Sequence, residues 1–218
     1  MIYLISDPHG VSRTGIERYL EVCTESDLLI ILGDLGLNFQ DTEENREFTQ
    51  WFLSLDKPIA LVEGNHENHA FLNSFPEDEW CGGAVHRLSD TIVRLRRGNV
   101  YNINGKTFFV MGGCKSSAKW KEMGLWYEGE EPTEEELSLA YDNLKKYNNA
   151  VDYVLTHKYN DYKKKEDKEY PPLTLEGLSI FIDANVQYKH WYSGHWHRNK
   201  SIDELHTVVY DEPLAIPE

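Results

Sequence analysis

The sequence predicts an α/β fold, and three observations carry that prediction. Aliphatic and β-branched runs of strand length recur along the chain, amphipathic helix-like segments separate the first three, and the runs end in clusters of polar residues. Strand alternating with helix implies βαβ units and parallel strands. In such a sheet ligands bind beyond the carboxyl ends of the strands, where loops from several strands converge.

The first run, MIYLIS at residues 1–6, leads into DPHG. TGIERYLEVC follows as a helix, with Thr14 as its expected N-cap and Ile16, Tyr19, Leu20 and Cys23 on one face. DLLIIL, residues 27–32, is the second strand and ends in GDLG. A second helix is expected over TEENREFTQWFLSL, residues 42–55, where Thr42 and an acidic first turn mark its start. KPIALVE, residues 57–63, is the third strand; the glycine of the following GNHE marks a sharp turn. NVYNINGKTFFVMGG, residues 99–113, reads as a hairpin turning at Asn104 and Gly105. Residues 114–131 have no clear period and carry Trp120, Trp126 and Tyr127, so a surface loop or lid is expected there. PTEEELSLAYDNLKKYN is a helix whose three early glutamates and late lysines match the helix dipole. VDYVL then ends in TH at residues 156–157, and YKHWYS in GHWH at residues 194–197. KKKEDK, residues 163–168, reads as a solvated loop.

With 218 residues, 40% hydrophobic and 27% charged, the composition is that of one globular domain over residues 1–218. The formal net charge of -15 argues against extended nucleic acid as a partner, since such binders display a basic face. Cys23, Cys81 and Cys114 are odd in number and lack CxxC spacing, which points to a reduced, cytoplasmic setting. The N-terminus becomes charged too early for a signal peptide, and no apolar run approaches the ~20 residues of a membrane span.

The polar clusters supply Asp7, His9, Asp34, Asn65, His157, His195 and His197, besides His66. These oxygen and imidazole donors, without a thiolate, suit first-row divalent ions and exclude a cysteine-based structural zinc site. They are too many for one tetrahedral ion and fit two ions, about 3.5–4 Å apart, that share a bridging carboxylate. His195 and His197 are two apart and point the same way if the strand stays extended.

DPHG, GDLG, GNHE, LTH and GHWH, in that order from Asp7 to His197, resemble the motifs of the calcineurin-like metallophosphoesterases. The resemblance implies a four-layer α/β/β/α sandwich of two mixed sheets. It also implies Asp7, His9 and His197 on one metal ion, Asn65, His157 and His195 on the other, Asp34 bridging them, and His66 facing the substrate to protonate the leaving oxygen. Mn²⁺ is the expected ion, with Fe, Zn, Ni and Co as alternatives. In the phosphoprotein-phosphatase branch the second motif reads GDxxDRG, whereas Leu37 and Asn38 stand at the later Asp and Arg positions here. A protein phosphatase of that branch is not expected, and the group that orients His66 is left open. GDLG, GNHEN and the Trp-rich segment instead resemble small bacterial and phage metallophosphoesterases.

The expected activity is hydrolysis of phosphate esters, with a phosphodiesterase acting on a small nucleotide or similar soluble ester in front. A phosphomonoesterase or a nuclease of the same superfamily is the alternative; from a different class, the alternative is a non-catalytic metal-binding scaffold. Arg13, Lys115 and Arg198 are candidate phosphate contacts, set against the ordinary occurrence of exposed cations. Trp126, with Tyr127, is a candidate base-stacking surface, set against packing of the loop onto the core. His69, His86, His190 and His206 match no motif and read as core or surface histidines, and Cys114, lacking a base or helix signature beside it, is not expected to be a nucleophile.

Overall fold

A computed structural model describes residues 1–159 and 171–216; the loop expected at residues 163–168 lies outside them. Strands β1 (Ile2–Ile5), β2 (Leu28–Leu32), β3 (Ile59–Val62) and β6 (Ile92–Leu95) run parallel to one another. β4 (Glu77–Trp80), β5 (Gly83–Arg87) and β13 (Leu214–Ala215) add antiparallel margins, giving a seven-stranded mixed sheet in the order β13-β1-β2-β3-β6-β5-β4. The second mixed sheet has six strands in the order β11-β12-β10-β9-β8-β7. They are β7 (Val100–Ile103), β8 (Lys106–Met111), β9 (Tyr153–Thr156), β10 (His190–Ser193), β11 (Lys200–Ser201) and β12 (His206–Val208).

Alternation along the strands builds the layers, because successive side chains leave opposite faces of a sheet. Leu4, Leu28, Ile30, Leu32, Ala60 and Val62 pack with Phe108, Val110, Tyr153, Leu155 and Tyr192 in an interior between the sheets. The intervening Ile5, Leu29, Ile31, Ile59 and Leu61 pack with Ile16, Tyr19, Phe48, Phe52 and Leu72, which lie on helices α1 (Thr14–Val22), α2 (Glu43–Leu53) and α3 (His69–Asn73). On the far side, Phe109, Met111, Val154 and Trp191 pack with Leu137, Ala140, Leu144, Leu178 and Ile182 of α5 (Glu134–Lys146) and α6 (Leu175–Asn185). The expected α/β/β/α sandwich is therefore the architecture. These core strands are buried on both faces, which explains their unbroken apolar sequences.

Local signals held where the backbone chemistry is short-range. Thr42 caps α2 by accepting the Asn45 amide, and Thr133 forms a capping box with Glu136 on α5. Asn104 and Gly105, at φ 53° and 77°, form the two-residue turn between β7 and β8. α1 begins one residue differently from expectation. Its N-cap is Arg13, which is already helical and whose carbonyl accepts the Glu17 amide, so Thr14 is the first helical residue. Residues 114–131 are not all loop, since they contain the short helix α4 (Ala118–Glu122). β4 escaped the sequence pattern because EDEW is an edge strand with no buried apolar face.

The exit of β3 is anchored by buried ions. Glu63 faces Arg97 Nε at 3.2 Å, Arg94 Nη1 at 3.6 Å and His69 Nδ1 at 3.0 Å, and Arg97 continues to Glu136 of α5 at 3.1 Å. Burial opposes the Glu63 charge, but Arg97 and Arg94 outweigh it and hold the carboxyl well below its usual range. Removing one partner of a buried pair leaves the other uncompensated. Glu63→Gln is therefore expected to lower the unfolding free energy by about 3–5 kcal/mol, read from urea denaturation.

A second cluster predicts a pH response. His206 on β12 faces Asp203 Oδ1 at 2.7 Å, Asp183 Oδ1 at 3.3 Å and the Tyr188 hydroxyl at 3.1 Å. Burial disfavours its charge, yet the two carboxylates outweigh burial and raise its pKa. A histidine pKa raised by folding contributes stability that is complete below the unfolded value of about 6.5 and disappears as pH rises through the folded value. Wild-type stability is expected to fall over that window relative to His206→Asn, with the difference between their urea midpoints at pH 6 and pH 9 as the measurement.

Candidate metal centre and cleft

The loops that leave β1, β2, β3, β9 and β10 meet at one edge of the sandwich and are tied to one another through the backbone. The Asp7, His9 and Gly10 amides donate to the carbonyls of Gly33 (3.0 Å), Asp34 (2.8 Å) and Leu35 (2.7 Å). The Gly194 amide donates to the His157 carbonyl at 2.8 Å, and the His195 amide to Asp7 Oδ2 at 2.9 Å. Asp7, His9, Asp34, His195 and His197 all have positive φ, at 62°, 55°, 52°, 70° and 46°. Each left-handed residue costs about 1–2 kcal/mol, and Asp and His tolerate it better than bulky or branched residues do. Gly33, at φ 96°, and Gly64 are needed for packing as well: a Cβ on the first would overlap His157 Nδ1, and one on the second Asp34 Oδ1.

The left-handed turns overturn the extended-strand geometry expected of His195 and His197. β10 ends at Ser193, and the two rings go separate ways. His197 Nε2 lies 2.8 Å from His9 Nε2 and 3.5 Å from Asp7 Oδ1, whereas His195 Nδ1 lies 3.2 Å from His157 Nε2. Two groups of donors result. Asp7, His9, Asp34 and His197 form one; His157, His195 and Cys114 form the other, with the donor atoms of each group within 4.8 Å of one another. Asn65 joins the second, its Oδ1 3.1 Å from His157 Nε2. Asp34 faces both, with Oδ1 3.4 Å from His157 Nε2 and Oδ2 3.9 Å from His9 Nε2.

The surroundings fix which atom each donor presents. His157 donates Nδ1–H to the Leu32 carbonyl at 2.8 Å, which aims Nε2 inward. Asn65 donates Nδ2–H to Ser116 Oγ at 2.9 Å, which aims Oδ1 inward. Burial opposes charge on Asp34 and on His157, yet their attraction outweighs it, holding the carboxyl well below and the imidazole well above their usual ranges. Burial and the neighbouring His157 push His195 down to about 3, burial lowers His9, and Asp7 raises His197.

These residues fit divalent cations. Asp7 Oδ1 is buried without a hydrogen-bond partner, and imidazole nitrogens face each other at 2.8 and 3.2 Å, where two lone pairs need a proton or a cation between them. The donors are nitrogen and oxygen with one sulfur, which suits first-row ions.

Two members of the site carried no role in the sequence reading. Cys114, at the exit of β8, puts Sγ 2.9 Å from Asn65 Oδ1, so a sulfur stands beside the expected oxygen and imidazole donors. A strand end marked only by GGC offers no polar cluster to notice. Glu67 is fully buried; its Oε1 and Oε2 accept the Leu35 and Gly36 amides at 2.9 and 3.0 Å, so the third loop clamps the second. Burial and the nearby Asp34 charge push its carboxyl up to about 8, against the two amides.

His66 faces an open cleft of about 390 Å³, lined also by His9, Asp34, Phe39, Gln40, Trp120, Leu125, His195 and His197. Its ring stands edge-on to Trp120 at 4.8 Å and to Phe39 at 5.4 Å. Among the described residues no carboxylate pairs with the His66 ring, so aromatic packing holds it. The expected substrate contacts lie differently. Trp126 is not among the cleft-lining residues and sits under Lys121 Nζ at 4.1 Å; Trp120 on α4 is the tryptophan that reaches the cleft. Tyr127 packs on Phe39 and donates its hydroxyl hydrogen to the Phe39 carbonyl at 2.8 Å. Arg13 stacks on Trp51 at 4.6 Å, exposed Lys115 pairs with Glu131 at 3.7 Å, and Arg198 lies 6.0 Å from the Trp196 ring.

The family model described as calcineurin-like phosphoesterase matches residues 1–199. Among solved structures, the chain is similar to the protein of unknown function AQ665 from Aquifex aeolicus, at 18% identity over 74% of this chain and 81% of that one, with a TM-score of 0.39. A search of curated proteins finds no match. With that model matched over residues 1–199, the chain belongs to the calcineurin-like phosphoesterase family, whose members are metal-dependent phosphoesterases.

Proposed function

We propose that the chain, as one domain over residues 1–218, hydrolyses phosphodiesters of small soluble molecules such as nucleotides. Asp7, His9 and His197 hold one divalent ion, Asn65, His157 and His195 the other, and Asp34 serves both. Ions held there supply Lewis acidity and charge neutralisation to the phosphoryl group. His66, clamped between Phe39 and Trp120, delivers a proton to the leaving oxygen, and Phe39, Trp120 and Leu125 give that substituent an apolar wall from which water is partly excluded.

The observation that carries the diester preference is the absence of Lys and Arg among the described residues lining the cleft. A monoester has a second pKa of about 6 and is largely dianionic at neutral pH, so it needs cations beyond the ions themselves. A diester carries a single negative charge and offers a second substituent for the aromatic wall. The net charge of -15 works against a polynucleotide, and free Cys23, Cys81 and Cys114 suit a reducing, cytoplasmic setting. No helix among the described residues is long and apolar enough to cross a membrane.

With metal supplied, kcat/KM for bis(p-nitrophenyl) phosphate is expected to exceed that for p-nitrophenyl phosphate by about tenfold or more, equivalent to roughly 1.4 kcal/mol of unmatched charge. Chelation should abolish both activities. A preference for the monoester overturns the diester assignment, and activity that survives chelation overturns the metal-dependent reading. His66→Gln is expected to lower kcat by about 10²–10⁴-fold with metal content unchanged, and by less for aryl than for alkyl leaving groups. Equal losses for both leaving groups, or loss of a metal from the variant, remove His66 from the proton-donor role.

A further inference from the structure

Cys114 has no part in the ligand set proposed above, yet the fold delivers it to the middle of one half. It is 3% exposed and follows Gly112 and Gly113 at the exit of β8. β8 runs parallel to β9, with Met111 opposite Thr156, so both strands open at the same edge and Cys114 leaves beside His157. The Gly113 amide donates to the Glu63 carbonyl at 2.8 Å, and a Cβ on Gly112 would stand 2.6 Å from that same oxygen. The two glycines therefore let the β8 exit press against the β3 exit, which sets Cys114 beside Asn65.

Sγ lies 2.9 Å from Asn65 Oδ1 and 3.7 Å from His195 Nδ1, while His157 Nε2 stands 3.1 Å from Asn65 Oδ1 and 3.2 Å from His195 Nδ1. Donors bound 2.0–2.3 Å from one ion are themselves separated by about 3–3.7 Å. The four atoms have the spacing of a shared coordination sphere.

We propose that Cys114 Sγ is a ligand of the ion held by Asn65, His157 and His195, and that it makes this half of the site select Zn²⁺, Co²⁺ or Fe²⁺ over Mn²⁺ or Mg²⁺. The inference rests on the two-ion reading of the site. The thiol proton passes to solvent as the sulfur–metal bond forms, because the thiolate is the ligand. Thiolate donors favour softer ions, whereas carboxylate and carbonyl donors suit Mn²⁺ and Mg²⁺. The competing role is a thiol donating a hydrogen bond to the Asn65 amide oxygen. A serine hydroxyl would fill that role as well.

Metal-free protein titrated with Co²⁺ separates the two. The wild type is expected to show visible cobalt bands together with an intense near-ultraviolet sulfur-to-cobalt charge-transfer band. In Cys114→Ser that band should vanish, and Zn²⁺ affinity at one site should fall by about 10–100-fold or more, with Mn²⁺ affinity little changed. Bound Co²⁺ without the charge-transfer band in the wild type, or a serine variant that keeps full Zn²⁺ affinity, overturns the sulfur ligand while leaving the two-ion reading standing. Failure of the wild type to bind any divalent ion overturns both. Should the variant not fold, zinc-edge X-ray absorption on the wild type decides alone, since sulfur in the first coordination sphere supports the proposal and its absence overturns it.

Discussion

The carboxylate of Asp34 sits in the centre of the molecule's chemistry and is almost wholly enclosed, and an enclosed charge is stable only when opposite charge or hydrogen-bond donors surround it. Asp34 Oδ1 accepts the His66 amide at 2.7 Å and faces His157, Oδ2 faces His9, and the backbone carbonyl of the same residue accepts the His9 amide. Three loops are thus pinned to one side chain. The enclosure in turn dictates Gly64, the one residue type that leaves room for the carboxylate, and Gly33, which leaves room for His157. Half of the described non-glycine residues with positive φ are Asp7, His9, Asp34, His195 and His197. Backbone strain is concentrated where the donors converge, and an interior built to take cations is the arrangement that makes such convergence useful.

The sandwich provides the stiffness that this convergence needs. Parallel strands put their carboxyl ends at the same edge, and an apolar interior shared by the two sheets holds β1, β2 and β3 against β8, β9 and β10. Around that edge the tie is ionic. Glu63, two residues before Asn65, holds Arg94 and Arg97 in a buried cluster that reaches α5, so the loop carrying Asn65 and His66 is fixed from beneath as well as by the Glu67 clamp above. Such a cluster specifies one arrangement more than it adds stability, because desolvation offsets much of its attraction.

The same reasoning accounts for the position of His66. Leu37 is wholly buried against the helices on the outer face of the first sheet, packed with Ile31, Phe48 and Leu61, and cannot serve as a polar partner for an imidazole. Phe39 and Trp120 supply edge contacts in its place. Aromatic edges position a ring by packing, and they leave the cleft apolar on one side and lined by Asp34, His9, His195 and His197 on the other.

The alternation of strand-like and helix-like runs, the caps at Thr42 and Thr133, the Asn-Gly turn and the candidate oxygen and imidazole donors were legible in the residues, whereas the cap expected at Thr14 fell to Arg13. Each depends on interactions within a few positions of the chain or on a period that the pleat imposes, so local pattern suffices. The left-handed turns at His195 and His197 were not legible in the local pattern, because hydrogen bonds from distant loops hold them, and only the family resemblance separated the two rings. Cys114 was invisible for a similar reason: its significance arises from β8 lying beside β9, a pairing between residues more than forty positions apart. The exchange of Trp126 for Trp120 at the cleft follows from the turn of the short helix α4, whose sequence has no period of its own. Glu67 stands in GNHE without an assigned role until the loops close over it. Sequence alone determined which atoms the protein has for its chemistry; the packing of two sheets, which brings strand ends from across the chain to one edge, decided which of them meet.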